Sequence, residues 1–543
     1  MYLSRISINA RPASISLCAL YFAGCASSGT PVTSSQSPSV GTATASASFE
    51  SIDADVNARI RAEATRNSKV LETAIMISDI HGPRLAGSSG YAKAAAWARS
   101  QLADWGLSNA ALEPWGRRGK GWELERFSVE MIAPYYLRMN AIPKAWSPGT
   151  NGVVSGTPLL VSIRGDSDFV RYRGKLRGRI VMNGAISLPR GRFDPPATRL
   201  TQRTLDSLAN ITDPGEPRTY WEDADPFLEA LARRRRIDEF FRQEGVTALL
   251  EPSRNPRAVL ATSHVSYATD RTGAVPAFIL AREHYDAVAR LIERNRSPRL
   301  DLSMSARFTT TDSLGYNIVA EIPGTDPRLA NEVVMAGGHF DTWQAASGAT
   351  DNAAGSAVVM EALRILNAIG VKPRRTIRIA LWDGEEQEDY FGSMGYVRRH
   401  LGDPTTMRLA PGHNKFSAYF NVDHGTGPIR GFYLQGNAAA RPVLGAFLAP
   451  FRDLGASTLS IKNYGSTDHM PFSSVGLPAF NTIHDPIDYE TVTHHTSLDF
   501  ADYLIEDDMR QASIVIASLL YHTAMRDALM PRTPLPAPKR ASP

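Results

Sequence analysis

The sequence is poor in cysteine and has almost no excess of either charge. Only two cysteines occur in 543 residues, Cys18 and Cys25, so disulfide bonds do not hold the body of the protein together. The 59 basic and 55 acidic side chains leave a net charge of +4, which argues against a nucleic-acid partner. The chain also lacks a Gly-x-Ser-x-Gly motif, which argues against a serine hydrolase. Its 43% of hydrophobic residues is typical of a globular protein with a large core.

The first 50 residues predict export. An uncharged, mostly apolar stretch lies within residues 1–24; it has the layout of a signal peptide and is too short to span a bilayer. The small residues before Cys25 resemble the lipobox of bacterial lipoproteins, although Phe22 stands where Leu is usual, which leaves plain secretion open. Residues 25–50 are rich in Ser, Thr and Ala and predict a flexible tether. We expect a periplasmic or outer-membrane lipoprotein that touches the membrane only through Cys25, or a secreted protein.

The rest of the chain divides by its hydrophobic pattern. Residues 312–530 alternate apolar strands with helices, which predicts an α/β domain with a mostly parallel or mixed sheet between helices. Residues 51–149 predict helices followed by a β-rich stretch, and residues 150–311 have short strands and many arginines. The proline-rich residues 531–543 predict a disordered tail.

Histidines and carboxylates follow three predicted strands and occupy one later loop. Ligands of such sheets bind where the carboxyl ends of the strands meet, so we expect these side chains to lie close together. The residues concerned are His339 and Asp341 after the first strand, Asp351 twelve positions after His339, Glu385 and Glu386 after the second strand, Asp423 after the third, and His494 and His495 in the loop.

This set of donors predicts a catalytic metal site. Imidazole and carboxylate ligands without cysteine are typical of zinc sites that keep a position open for water or substrate. Five ligands that share one carboxylate can hold two metals about 3.5–4 Å apart. Of the adjacent Glu385 and Glu386, one can bind metal and the other can act as general base. Each residue alone has an ordinary structural role, such as a helix N-cap at Asp351, but their joint occurrence favours the metal site.

The motifs together resemble the di-zinc peptidase family of bacterial leucyl aminopeptidases and glutamate carboxypeptidases. They are most similar to its plasma glutamate carboxypeptidase (carboxypeptidase Q) branch. The matching segments are AGGHFDTW, GATDNAAG, LWDGEEQ, NVDHG and VTHHTSLD, and HGPRLAGSSGY at 81–91 is similar to the start of these catalytic domains. The resemblance implies a phosphorylase/hydrolase-like zinc peptidase fold. It also implies that 51–149 and 312–530 form one catalytic domain and that 150–311 is an inserted β-rich protease-associated (PA) domain.

The resemblance further implies two zinc ions per chain and a role for each site residue. His495 is preferred to His494 because HTSLD is similar to the family's His-Thr-x-x-Asp run. The chain departs from the family pattern at 389–391, where many members have a glycine-rich segment. The implied roles are His339 and Asp423 on one zinc, Glu386 and His495 on the other, Asp351 as the bridge, Glu385 as general base, and Asp341 as the carboxylate that orients the ligand histidine.

The predicted function is therefore that of a metallo-exopeptidase with peptide or dipeptide substrates. Aminopeptidase, dipeptidase and carboxypeptidase action stay open, as do another divalent metal in place of zinc and the oligomeric state, a homodimer included. One alternative is a glutaminyl cyclase-like enzyme with a single zinc, which the presence of both His339 and Asp423 argues against. The other is a silent, receptor-like binding protein on the same fold, which the complete ligand set argues against.

Overall fold

The computed structural model describes residues 50–187, 191, 193–216, 220–265, 274–309, 314–386 and 390–538. The predicted signal peptide and, except for residue 50, the predicted tether lie outside these residues. Within the described part of the chain, no helix is both long enough and apolar enough to cross a membrane.

The strands and helices of the described residues are named in chain order. The strands are β1 (Ser108–Arg117), β2 (Gly121–Ala133), β3 (Leu137–Arg138), β4 (Ala141–Pro143), β5 (Val154–Gly156), β6 (Leu159–Val161), β7 (Ile180–Asn183), β8 (Ala248–Pro252), β9 (Ala277–Leu280), β10 (Arg299–Thr309), β11 (Leu314–Ile322), β12 (Val333–His339), β13 (Thr376–Trp382), β14 (Gly402–Asp403), β15 (Arg408–Leu409), β16 (Phe416–Asn421), β17 (Ile429–Tyr433), β18 (Thr458–Ser460) and β19 (Ala479–His484). The helices are α1 (Ala54–Asn67), α2 (Val70–Ile75), α3 (Ser89–Asp104), α4 (Asp166–Tyr172), α5 (Gln202–Ala209), α6 (Tyr220–Gln243), α7 (Arg282–Glu293), α8 (Ala354–Ala368), α9 (Phe391–His400), α10 (Arg441–Leu448), α11 (His469–Ser473) and α12 (Glu506–Met525).

The largest sheet has eight strands in the order β1-β11-β13-β12-β16-β19-β17-β18. Its central strands β13, β12, β16 and β19 are parallel, whereas β1 and β11 add to one side in antiparallel fashion. Helices α1, α3, α8 and α12 pack on one face, and α9 and α11 pack on the other. The predicted class, a mixed α/β sheet between helices, is confirmed.

Burial on both faces explains the apolar sequence of the central strands. All six residues of β16 are buried, and such strands are nearly continuously apolar because helices cover both sides. Helix α8 is buried almost along its whole length, which agrees with a sequence that is apolar on all sides. Its two charged residues, Glu361 and Arg364, pair at 2.7 Å. The strand–helix alternation predicted for this segment therefore forms the core that carries the site.

Two smaller sheets are formed between residues 121 and 309. One has four antiparallel strands in the order β3-β2-β10-β5, and the other has the order β4-β9-β8-β7-β6 and is parallel except at β4. They share a core around Trp122 and Trp146. Residues 121–143, assigned above to the first catalytic part, thus pair with the middle of the chain, because β2 pairs with β10 over its whole length. The PA identity of the middle segment stays a prediction.

The predicted disordered tail is ordered where it begins. Arg532 donates hydrogen bonds to the main-chain oxygens of His413 and Phe416, both at 2.8 Å. The prolines of this segment exclude a helix, but they do not prevent an extended chain from packing on the domain. The last five residues, 539–543, lie outside the described residues.

Candidate metal centre

The five side chains proposed as metal ligands come together at the carboxyl ends of the central strands. His339 is the last residue of β12, Asp423 follows β16 by two residues, and Glu386 follows β13 by four. Asp351 lies in a short turn, Ala349–Ala353, which leads into α8 and in which the backbone of Asp351 itself is not helical. His495 comes from the loop after a second such turn, Tyr489–Thr493. Strand ends and turns thus deliver donors that are far apart in sequence.

His339 lies between two carboxylates. Its Nε2 is 3.1 Å from Oδ1 of Asp351 and 3.3 Å from Oδ1 of Asp423. Its Nδ1 is 3.0 Å from the main-chain oxygen of Asp341. Because a carbonyl can only accept a hydrogen bond, Nδ1 carries a hydrogen, and Nε2 is the nitrogen that faces the carboxylates.

Asp351 also faces the two remaining predicted ligands, Glu386 and His495. Nε2 of His495 is 2.9 Å from Oε2 of Glu386 and 3.4 Å from Oδ2 of Asp351. One carboxylate oxygen of Asp351 is therefore directed at His339 and the other at His495. Donor atoms of His494, His495 and Asp351 also lie within 4.8 Å of one another. However, Nδ1 of His494 is 3.5 Å from Oε2 of Glu490, which is not one of the predicted ligands.

The buried oxygens of this cluster fit a bound cation. Oδ2 of Asp351, both oxygens of Glu386 and Oδ1 of Asp423 are buried without a hydrogen-bond partner. Unpaired buried carboxylate oxygens are costly, and a metal ion would satisfy them. Donor atoms of His339, Asp351 and Glu386 all lie within 4.8 Å of one another. Nitrogen and carboxylate donors of this kind suit zinc.

The carboxylates of the cluster have opposite pKa shifts. Burial and the neighbouring Asp351 charge raise the pKa of Glu386 well above its ordinary value. Burial acts on Asp351 in the same direction, but the hydrogen bond from His339 and the nearby imidazoles outweigh it and hold its pKa below the ordinary value. Burial also raises the pKa of Glu385 well above its ordinary value. The site therefore holds acidic groups that bind protons with very different affinities.

The carboxylate of Asp341 contacts the two glutamates rather than the ligand histidine, which the family resemblance implied it would orient. Its carboxylate accepts the main-chain N–H groups of Glu385 and Glu386 at 3.2 and 3.3 Å. Its Oδ1 is 3.8 Å from Nδ1 of His339, beyond hydrogen-bond distance. The main-chain oxygen of Asp341 therefore holds the histidine ring, and the carboxylate holds the backbone of the two glutamates.

Three further residues, for which the sequence alone predicts no role, support the cluster. Tyr489 donates to Oδ1 of Asp351 at 3.0 Å, and Thr467 donates to Asp423 at 2.6 Å. Asp499 accepts the main-chain N–H of Asp351 at 3.0 Å. The HTSLD run contains Asp499, so a signal for it existed. Tyr489 begins the turn Tyr489–Thr493 and Thr467 precedes α11, and neither belongs to a recognisable sequence pattern.

All of these residues lie in one segment that matches a known protein family. The profile described as Peptidase family M28 matches residues 317–520. The resemblance to this peptidase family is confirmed over residues 317–520. The predicted class of enzyme, a metallo-exopeptidase, is thereby confirmed.

The relatives match the chain over very different lengths. Carboxypeptidase Q from Mus musculus is 24% identical over 460 residues, which are 84% of this chain and 86% of that protein. Leupeptin-inactivating enzyme 1 from Streptomyces exfoliatus is 31% identical over 172 residues, which are 32% of this chain and 36% of that protein. The carboxypeptidase Q match extends beyond the M28 segment and includes the middle of the chain.

Solved structures share the fold. The peptidase M28 precursor from Shewanella amazonensis has a TM-score of 0.65 at 22% identity and covers 89% of this chain and 98% of its own. A zinc aminopeptidase from Bacillus subtilis, BSAP, has a TM-score of 0.55 at 18% identity, with 84% and 95% covered. At these identities the likeness shows the fold alone.

The middle segment of the chain contacts the candidate metal centre. The main-chain N–H of Thr262 donates to the oxygen of His495 at 2.8 Å, and Ala261 forms a β-bridge with Thr496. The ring of His264 stacks on Trp343 with centroids 5.6 Å apart, and Trp343 meets His495 edge-on at 5.8 Å. The loop of His495 is therefore fixed partly from outside the matched segment. Residues 387–389, which include the first residue of the departure predicted at 389–391, lie outside the described residues.

Proposed function

We propose that the protein is a zinc-dependent exopeptidase with two metal ions per chain. The observation that carries the proposal is the position of Asp351, whose two oxygens are directed at His339 and at His495. A carboxylate in this position can bridge two ions. His339 and Asp423 would hold one ion, and Glu386 and His495 the other.

Glu385 is the proposed general base. Bound zinc would polarise the scissile carbonyl and lower the pKa of the attacking water. Glu385 accepts the proton of that water and passes it to the leaving amine, while the Asp341 carboxylate holds its main-chain N–H.

Peptides with a free end are the proposed substrates. The proteins to which the chain is similar include carboxypeptidase Q and the zinc aminopeptidase BSAP, and the contacts described above do not choose between the two ends of a peptide. A panel of free dipeptides, aminoacyl-anilides and amino-terminally blocked peptides, with and without chelator, separates dipeptidase, aminopeptidase and carboxypeptidase action.

The deciding experiment is the Glu385→Gln variant. We expect it to keep two zinc ions per chain by elemental analysis and to lose at least about a hundredfold in kcat, since general-base catalysis contributes roughly 10²–10⁴. Glu72→Gln, at an exposed glutamate that pairs with Lys69, is the control and should keep full activity. A rate near that of the unmodified protein would remove Glu385 from this role. One zinc per chain together with cyclisation of glutaminyl peptides would replace the proposal by the cyclase alternative.

Export is proposed from the amino-terminal sequence alone. The composition of residues 1–24 and the small residues before Cys25 support it. Metabolic labelling with a fatty acid, compared between the full chain and Cys25→Ser, distinguishes the lipid anchor from plain secretion. Labelling that persists in the variant would contradict acylation at Cys25.

A further inference from the structure

Arg84 is a fully buried arginine beneath the metal centre. It belongs to the HGPRLAGSSGY segment, and its side chain is 0% exposed. Every hydrogen bond from its guanidinium goes to a main-chain oxygen. The acceptors are Phe340 at 2.8 Å, Ile77 at 2.9 Å, Gly82 at 3.1 Å, Ser347 at 2.8 Å and Gly348 at 3.0 Å.

These contacts connect both ends of one loop, residues 340–348. Phe340 directly follows the ligand His339, and Gly348 directly precedes the turn that holds Asp351. Nε of Arg84 binds the first end of the loop, and Nη1 and Nη2 bind the second. One planar group therefore fixes the separation of the two loop ends.

The backbone of Arg84 is tied to the same loop. Its main-chain N–H donates to Oγ1 of Thr342 at 2.9 Å, and its main-chain oxygen accepts the N–H of Thr342 at 3.2 Å. The loop is also tight, because a Cβ on Gly348 would lie 2.1 Å from Cγ2 of Thr342. The loop thus has little freedom to adopt another path while Arg84 is in place.

The charge of Arg84 has the sign that the cluster needs. Burial lowers the pKa of the guanidinium to about 10, against the opposing effect of Asp499, Asp341, Asp351 and Glu386. It therefore stays protonated at neutral pH. Arg84 is therefore a buried cation near these four carboxylates, although its guanidinium forms its hydrogen bonds with main-chain oxygens.

We infer that Arg84 is a positioning residue that sets the spacing of His339 and Asp351 through the main chain of loop 340–348 and so preorganises the metal centre. The inference rests on the proposed metal site. It requires the geometry of the guanidinium as well as its charge. Arginine reaches both loop ends from three nitrogens in one plane, whereas lysine has a single nitrogen and keeps only the charge.

The test compares Arg84→Lys with a matched control, Arg375→Lys. Arg375 is also a buried arginine; it pairs with Glu332 at 2.6 Å and donates to main-chain oxygens of Arg526 and Asp527, remote from the ligands. Zinc affinity is measured by competition with a chromophoric chelator. Steady-state kinetics at saturating zinc give kcat and KM separately.

We expect Arg84→Lys to weaken zinc binding by about 10–100-fold, the range seen when groups that orient metal ligands are changed. At saturating zinc, kcat should fall while KM changes less than twofold. Arg375→Lys should lower Tm and leave zinc affinity within twofold. Zinc affinity within twofold of the unmodified protein in Arg84→Lys, or an equal loss in Arg375→Lys, overturns the inference.

A second variant, Thr342→Val, tests the inference even if Arg84→Lys does not fold. Thr342→Val removes the acceptor of the Arg84 main-chain N–H and keeps the size of the side chain. We expect a several-fold loss of zinc affinity, and unchanged affinity overturns the inference. Absence of zinc binding by the unmodified protein would instead overturn the proposed function, so the two failures are distinguishable.

Discussion

At the scale of single residues, Asp341 supports the site by binding the main chain of two other site residues. Its carboxylate holds the main-chain N–H groups of Glu385 and Glu386, so it determines where the proposed base and an adjacent ligand lie. An amide at this position can still accept one of these hydrogen bonds but cannot accept both without placing its NH₂ group against an N–H.

We therefore expect Asp341→Asn to fold and to lose about 10–100-fold in kcat/KM. Steady-state hydrolysis of a dipeptide, with zinc content measured on the same samples, tests this. Asp326→Asn is the control, since this aspartate pairs with Arg374 away from the site. Activity within twofold of the unmodified protein would show that the backbone of the two glutamates is held without Asp341.

At this scale, the sequence predicted which residues would meet but not how they are held. His339, Asp423 and Glu386 follow parallel strands, and the geometry of such sheets brings strand ends together. Tyr489 and Thr467 reach the cluster from loops whose paths depend on the whole fold. The contacts of Arg84 depend on a loop that is 256 residues away in the chain.

At the scale of elements, helix α1 depends on a cap shared with the end of the chain. Asp53 caps α1 by accepting the main-chain N–H of Val56 at 3.0 Å, and its other oxygen accepts a hydrogen bond from Tyr521 of α12 at 3.1 Å. The hydrogen bond from Val56, with that from Tyr521 and the charge of His522, holds the pKa of Asp53 below its ordinary value against the effect of burial.

The lowered pKa predicts that the cap depends on pH. A carboxyl group with a folded pKa below its unfolded value contributes stability above about pH 4, and this contribution is lost as the pH falls through the folded pKa. We expect Asp53→Ala to lower the free energy of unfolding by about 1 kcal/mol at pH 7 and by less at pH 3. Urea unfolding at the two pH values measures the difference. Asp55→Ala, in the same first turn but exposed and without a capping role, should cost less at pH 7; an equal cost would contradict the cap.

The elements differ in how far the sequence determines them. The strand–helix units from β12 to β16 follow from apolar runs of the right length, because each run is covered by helices on both faces. The segment 121–143 is β-rich in either assignment, and only its pairing with β10, which lies far along the chain, decides which sheet it joins. Hydrophobic pattern is local information and cannot supply such a pairing.

At the scale of the whole molecule, the metal centre joins parts of the chain that are otherwise separate. Its residues come from β12, the turn before α8, the loops after β13 and β16, and the His495 loop, which the middle segment also contacts. Metal that binds only the folded state stabilises the whole domain by mass action. At a free concentration about 1,000 times the Kd, this amounts to about 4.1 kcal/mol.

Removal of metal should therefore lower the thermal stability of the entire domain. We expect dialysis against a chelator to lower Tm by several degrees and to abolish hydrolysis, and zinc to restore both. Differential scanning calorimetry with metal analysis of each sample provides the measurement. Magnesium serves as the control ion, because it prefers sites made only of oxygen ligands. An unchanged Tm in metal-free protein would contradict a structural contribution of the centre.

The pairing of α1 with α12 has a consequence for the time course of synthesis. Asn57 accepts a hydrogen bond from Ser518, 461 residues later, whereas both smaller sheets are complete once residue 309 has been made. At a synthesis rate of roughly 5–20 residues per second, the chain between β10 and the end of α12 takes roughly 10–40 s. The middle segment can fold during this interval. Helix α1, whose Ile60 and Ala64 are fully buried in the finished protein, therefore cannot complete its packing before α12 has been made.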